Sequence, residues 1–134
     1  MAARLAAETR RETLRVLAID SLHAGAHALL GRLYSEAANL PWSARLLAAP
    51  FIGIPPGRAA CRQLAERELT RAIALDSGAV LFRADLATLY LRMHREGDAE
   101  RTVRALVALP PRSPVDTQFQ RESRVALEHS RARR

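Results

Sequence analysis

The sequence predicts an all-α fold: a superhelix of antiparallel helical hairpins, with a helical insertion in the first complete hairpin and a capping helix at the C-terminal end. Three observations predict it. Leu75-Asp76-Ser77 is followed 34 residues later by Leu109-Pro110-Pro111, and Ala65 recurs as Ala99 at the same spacing. Gly31 and Tyr34 recur as Ala87 and Tyr90, and Ile19-Asp20-Ser21 recurs as Leu75-Asp76-Ser77, all 56 residues on. The composition, 49% hydrophobic and 26% charged with few aromatics, is that of a folded helical chain and not of a disordered one. A period of this length marks stacked helix pairs, because one such pair cannot bury its apolar face alone.

The two spacings also locate the insertion. They differ by 22 residues, and Tyr34 stands 31 residues before Ala65 where Tyr90 stands 9 before Ala99. The surplus therefore interrupts the earlier hairpin.

Residues 3–19 read as a helix with Leu5, Thr9, Leu14, Leu17 and Ile19 near one side and Glu8, Arg11, Glu12 and Arg15 elsewhere. By register it is the second helix of a hairpin whose first helix is absent, so one apolar flank is expected to be covered by the insertion or by another chain. Residues 23–39 form the next helix, which ends near Asn39 because Pro41 disfavours helical conformation in the residue before it. Pro41 itself suits the start of a short helix to about Ala49. Pro50, Gly53, Pro55, Pro56 and Gly57 then predict a turn-rich connection. A helix over 58–75 completes the hairpin. Val80 to Arg95 and Asp98 to Leu109 make the next pair, with Gly97 as the expected C-terminal cap between them. Ser113 is a cap residue followed by Pro114, which is preset for helical φ, and the last helix should close the stack with Val115, Phe119 and Ala126 before fraying over Arg131 to Arg134. With 134 residues the expectation is one domain, 1–134: a partial hairpin over 1–22, a hairpin over 23–77 interrupted around 40–57, a second hairpin over 78–111, and a capping helix with a basic tail over 112–134.

Two resemblances attach to these residues. The helix bearing His27-Ala28-Leu29-Leu30-Gly31-Arg32-Leu33-Tyr34 resembles the first helix of a tetratricopeptide repeat (TPR), and Ala65, Leu69, Ala72, Leu75 and Asp76 stand where the second helix carries its small and large residues. Ser77 replaces the usual proline. The inserted Leu40-Pro41-Trp42 segment, the Phe51 to Gly57 turn and the Leu109-Pro110 ending resemble the regulator of microtubule dynamics family over roughly residues 23–125, with Pro41 in place of the usual serine. That resemblance implies a non-enzymatic protein-binding scaffold and brings no catalytic residue and no cofactor.

If the hairpins stack, their first helices line a concave face, which places Arg32, Ser35 and Glu36 with Asp85, Thr88 and Arg92 as candidates for a protein partner. Arg32 and Arg92 suit an acidic group by two-pronged hydrogen bonding, or else stand as solvated arginines balanced by Glu36 and Asp85. The apolar run from Leu46 to Ile54 is the other candidate: Trp42, Leu46, Phe51 and Ile54 either cover the N-terminal flank or the concave face, or form a partner groove, a homodimer contact or a membrane-surface contact.

All 21 basic residues are arginine, and the formal charge of +7 favours encounter with acidic proteins, nucleic acid or anionic lipid. The basic strip of Arg121, Arg124, Arg131, Arg133 and Arg134 has no base-stacking aromatics beside it, so nucleic acid is the lesser alternative, with anionic membrane and acidic tubulin-like tails. His23 and His27 face the same side of a helix without a third metal ligand. Glu8 with Glu12, and Glu96 with Asp98 and Glu100, sit among arginines at helical spacing and read as surface pairs, Glu100 with Arg104 among them. With no nucleophile elbow, phosphate loop or zinc spacing, neither enzyme activity nor a small-molecule substrate is expected. Cys61 has no partner for an internal disulfide. Charges within the first twelve residues interrupt a secretory signal, and no apolar stretch reaches about 18 residues, so the cytoplasm is the expected compartment.

Overall fold

Helices α1 (Ala2–Ile19), α2 (Ala24–Ala38), α3 (Trp42–Ile52) and α4 (Arg58–Leu75) form one compact unit, and α5 (Val80–Arg92), α6 (Glu96–Val107) and α7 (Pro114–Ala132) form a second that begins at Asp76. These come from a computed structural model that describes residues 2–133. Every regular element among the described residues is an α-helix.

In the first unit α2 lies along α4, and α1 packs on both α2 and α3. The α2–α4 seam is built from small residues, which let the helices approach closely. Ala65, Leu69 and Ala72 of α4 are fully buried, and Ala26, Ala28, Leu30, Tyr34, Ala37 and Ala38 of α2 are buried as well. Gly31 is required here: a Cβ at this position would stand 2.7 Å from Leu69 Cγ and 3.1 Å from Leu69 N.

In the second unit α5 packs on α6, and α7 lies on both. Val80, Ala84 and Leu106 form the buried cluster, with Leu109 and Phe119 packed against it. The pairs related by the 34- and 56-residue spacings share their environments: Ala65 and Ala99 are both fully buried, and Tyr34 and Tyr90 are buried at 5% and 7% exposure. The turns match in detail. Asp20 accepts the Leu22 amide at 3.1 Å and Asp76 accepts the Gly78 amide at 3.3 Å, while His27 and Arg83 each donate to the carbonyl six residues earlier, Ser21 and Ser77.

Five expectations are corrected. Helix α3 does not stop at Ala49 but runs through Pro50 to Ile52. An interior proline costs about 3 kcal/mol. Burying Ile52 and Ile54 returns roughly 1.5–3 kcal/mol each. Gly53, in the left-handed region at φ 83°, closes the helix by donating to Ala49 O at 2.8 Å. Gly97 is no C-cap: it lies in the first turn of α6, and the left-handed position after α5 is His94 at φ 57°. The acidic Glu96 and Asp98 favour an early start for α6, because both stand beside the positive end of its dipole.

The last helix does not fray at Arg131, which remains helical and pairs with Glu100 at 2.8 Å. Arg134 lies outside the described residues. Val115 and Ala126 are exposed, and α7 instead buries Leu127 and packs Phe119 on the core. On α1 the supposed apolar face is largely uncovered: Leu5, Leu14 and Ile19 are exposed, whereas Thr13 is buried and donates its hydroxyl to Thr9 O at 2.6 Å.

Candidate functional site: a groove and an uncharged helix face

Alanines hollow out the principal groove of the first unit. Ala3 and Ala6 of α1, Ala37 of α2, and Ala44 and Ala48 of α3 leave a trough of about 750 Å³, walled by Leu5, Leu29, Leu33 and Ile52. Arg32 and Glu36, one turn apart on α2, line it as its charged pair. Both are exposed, and Glu36 is already engaged by a partner within the protein. Ser35, placed with them on sequence grounds, is buried at 6% exposure, since the α2 face carrying Gly31, Tyr34 and Ser35 turns inward.

The inserted helix inverts the usual arrangement of charge. Its one charged residue, Arg45, is buried at 5% exposure and donates to the carbonyls of Pro56 at 2.7 Å, Leu40 at 2.8 Å and Ala38 at 3.4 Å. Arg58 adds a bond to Ala38 O at 3.1 Å. A buried guanidinium is tolerable because these carbonyls replace its water. Facing outward are Trp42, Leu46, Leu47 and Phe51, exposed at 70%, 53%, 77% and 82%. The expectation that Trp42, Leu46 and Phe51 cover the N-terminal flank is therefore corrected. Of that set Ile54 alone is buried, and Ala49 and Ile52 supply the inward face of α3.

A second hollow of about 470 Å³ lies between α1 and the end of α3, where Arg10, Arg11 and Arg15 surround Leu14 and Phe51. Cys61 lies behind the insertion, fully buried, its thiol 3.2 Å from Pro55 O. Burial pushes this thiol above its ordinary pKa, with Arg45 partly offsetting the rise.

Of the second-unit candidates, Thr88 is exposed but donates back to Ala84 O at 3.0 Å. Asp85 and Arg92 are half-buried and each already has a partner within the protein. The ion pairs of this unit serve its turns and its last helix. Arg112 holds Asp76 through two bonds of 3.0 Å, and this hydrogen bonding keeps the Asp76 carboxyl below the usual carboxylate range. Arg131, with Arg104 at 2.9 Å, does the same for Glu100.

His23 and His27 are structural caps and links: His23 accepts the Ala26 amide at 3.0 Å, and His27 bridges Ser21 O and Glu68. Among the described residues no three His, Cys, Asp or Glu side chains are grouped to hold a metal ion, and no helix is long and apolar enough to cross a membrane.

Sequence reasoning missed the inward Arg45, whereas Leu47 stood within the apolar run it singled out. The signal was present, since Arg45 is the single charge between Leu40 and Gly57. A lone charge in an apolar stretch is as often a buried anchor as a surface group, and the neighbouring Pro56 carbonyl that decides the matter is invisible before folding.

A family model described as "Regulator of microtubule dynamics protein 1-3" matches residues 4–131. No curated protein and no solved structure matches the chain.

Proposed function

The chain belongs to the regulator of microtubule dynamics family, and on that premise we propose that it is a non-enzymatic, TPR-type interaction module whose groove between α1, α2 and α3 takes a helical segment of a microtubule-related protein. The observation that carries this reading is the trough itself, with an alanine floor, leucine walls and the Arg32 and Glu36 pair along one side. An amphipathic helix fills such a space by laying apolar side chains one turn apart onto the small residues. An acidic residue on that helix pairs with Arg32, and the formal charge of +7 speeds its approach.

The arginines Arg10, Arg11 and Arg15 around the second hollow favour one other reading, in which acidic tails of the tubulin kind are held by charge alone. Salt separates the two. Co-pelleting with stabilised microtubules is expected for the native chain, to survive moderate salt, and to be lost in Leu29→Glu, which places a carboxylate in the groove. Pelleting that vanishes with salt yet ignores Leu29→Glu supports the tail reading. Absence of pelleting at low salt overturns both.

A further inference from the structure

We propose that the outward face of α3 is a homodimer interface, pairing Trp42, Leu46, Leu47 and Phe51 with the same residues of a second copy. This goes beyond the groove reading, because the groove is lined by the other side of α3, through Ala44, Ala48 and Ile52.

Area is the first argument. An aromatic side chain offers on the order of 200 Å², so these four residues, all more than half exposed, present on the order of 500 Å² per copy. That is at the upper end of what a monomer leaves uncovered. Removed from both copies at once, it amounts to on the order of 1,000 Å², the threshold that a specific interface has to clear.

Charge selects the occupant. Each copy carries a formal +7, so two copies repel one another through most approaches. The outward face of α3 carries no charge of its own, because its one charge is drawn inside by the carbonyls of Pro56 and Leu40, with Arg10, Arg11 and Arg15 of α1 bordering its Phe51 end. Away from that end, Trp42, Leu46 and Leu47 give an acidic partner nothing to pair with, whereas they complement themselves. Isologous pairing about a two-fold axis requires that self-complementarity.

Geometry supports the same occupant. Trp42, Leu46 and Pro50 make one row of residues four apart, and Ser43, Leu47 and Phe51 make the adjacent row. Two such rows form a groove into which identical rows of another helix interdigitate, at a crossing angle of about −50°. An eleven-residue helix is about 16 Å long, enough for one crossing.

The test is sedimentation equilibrium of the full chain over a wide concentration range. A discrete species of twice the 14.8 kDa chain mass is expected, with persistence at high salt. Because the chain has one tryptophan, Trp42 emission should move to shorter wavelength as the dimer forms, a readout that needs no variant. Leu47→Glu and, separately, Leu46→Glu should raise the dissociation constant by about a hundredfold or more, since each dimer would bury two unpaired like charges. Circular dichroism should be unchanged, as both side chains are exposed. Leu5→Glu, in the groove, should leave the dimer intact. A 14.8 kDa species at every concentration overturns the proposal, as does a dimer that survives Leu47→Glu or is lost with Leu5→Glu.

Discussion

His27 Nδ1 lies 2.6 Å from Oε2 of Glu68, which joins α2 to α4 across 41 residues of chain. The other ring nitrogen faces the Ser21 carbonyl at 2.8 Å, so both sides of the imidazole meet acceptors. Both side chains are nearly buried, at 15% and 10% exposure. His27→Ala leaves the Glu68 carboxylate with its bond from Arg67 at 3.3 Å but without that from His27, and should lower the unfolding free energy by about 2 kcal/mol. Urea denaturation measures this. His27→Ala combined with Glu68→Leu should recover most of the loss, because no carboxylate is then left in the seam, and the exposed Ser21 carbonyl and Arg67 guanidinium return to water. A double variant as unstable as His27→Ala would show that the pair is not what stabilises the seam.

Gly31 and Ala87 occupy the same register, 56 residues apart, but differ in the room above them. A Cβ on Gly31 would meet Leu69, including its backbone nitrogen at 3.1 Å, and Leu69 is fully buried. Gly31→Ala should therefore cost about 2 kcal/mol through overpacking, despite its better helix propensity. A thermal melt that rises for Gly31→Ala would show that α2 and α4 can separate at no cost.

That register explains why so much of the fold was legible. Recurring Ala65 and Ala99, Tyr34 and Tyr90, and Asp20 and Asp76 constrain contacts that must be alike in both pairs, and each pair is alike in burial or bonding. What does not recur was read less well. The insertion has no second copy to check it against, so Pro50 suggested a stop where the burial of Ile52 and Ile54 carries the helix onward. The groove was legible only in part: Arg32 and Glu36 line it, whereas its floor of Ala44 and Ala48 depends on how α3 turns, which the inward Arg45 decides.

Arg45 is therefore the residue on which the insertion should stand or fall. Its bonds to Pro56, Leu40 and Ala38 tie both ends of the inserted segment together. Arg45→Met keeps the apolar stem but orphans the Pro56 and Leu40 carbonyls, while Ala38 O keeps its bond from Arg58, and should open the segment locally at a cost of about 3 kcal/mol. Limited proteolysis between Pro41 and Gly57 should then quicken while α4 stays protected from hydrogen exchange. Arg45→Lys should rescue little, because one ammonium cannot span the positions that the planar fork reaches. Cleavage no faster than in the native chain would place the anchoring elsewhere.

Asp76 and Arg112 should make the second unit sensitive to acid. Arg112 clasps Asp76 with both terminal nitrogens, at 3.0 Å each, and the Gly78 amide bonds the same carboxylate at 3.3 Å. The hydrogen bonds from Arg112 depress the Asp76 pKa below its unfolded value. A depressed carboxylate contributes stability that is present above the unfolded pKa and is lost as pH falls through the folded one. The loss should therefore begin as pH falls toward the unfolded value of about 4 and continue below it. Because both partners are largely solvated, the effect should be modest and should shrink with added salt. Asp76→Asn should flatten this part of the pH profile, and the comparison of melting temperatures between the two proteins isolates Asp76 from Glu100, whose pairing with Arg131 and Arg104 titrates in the same direction. Identical acid profiles for the two proteins would show that Asp76 does not carry the dependence.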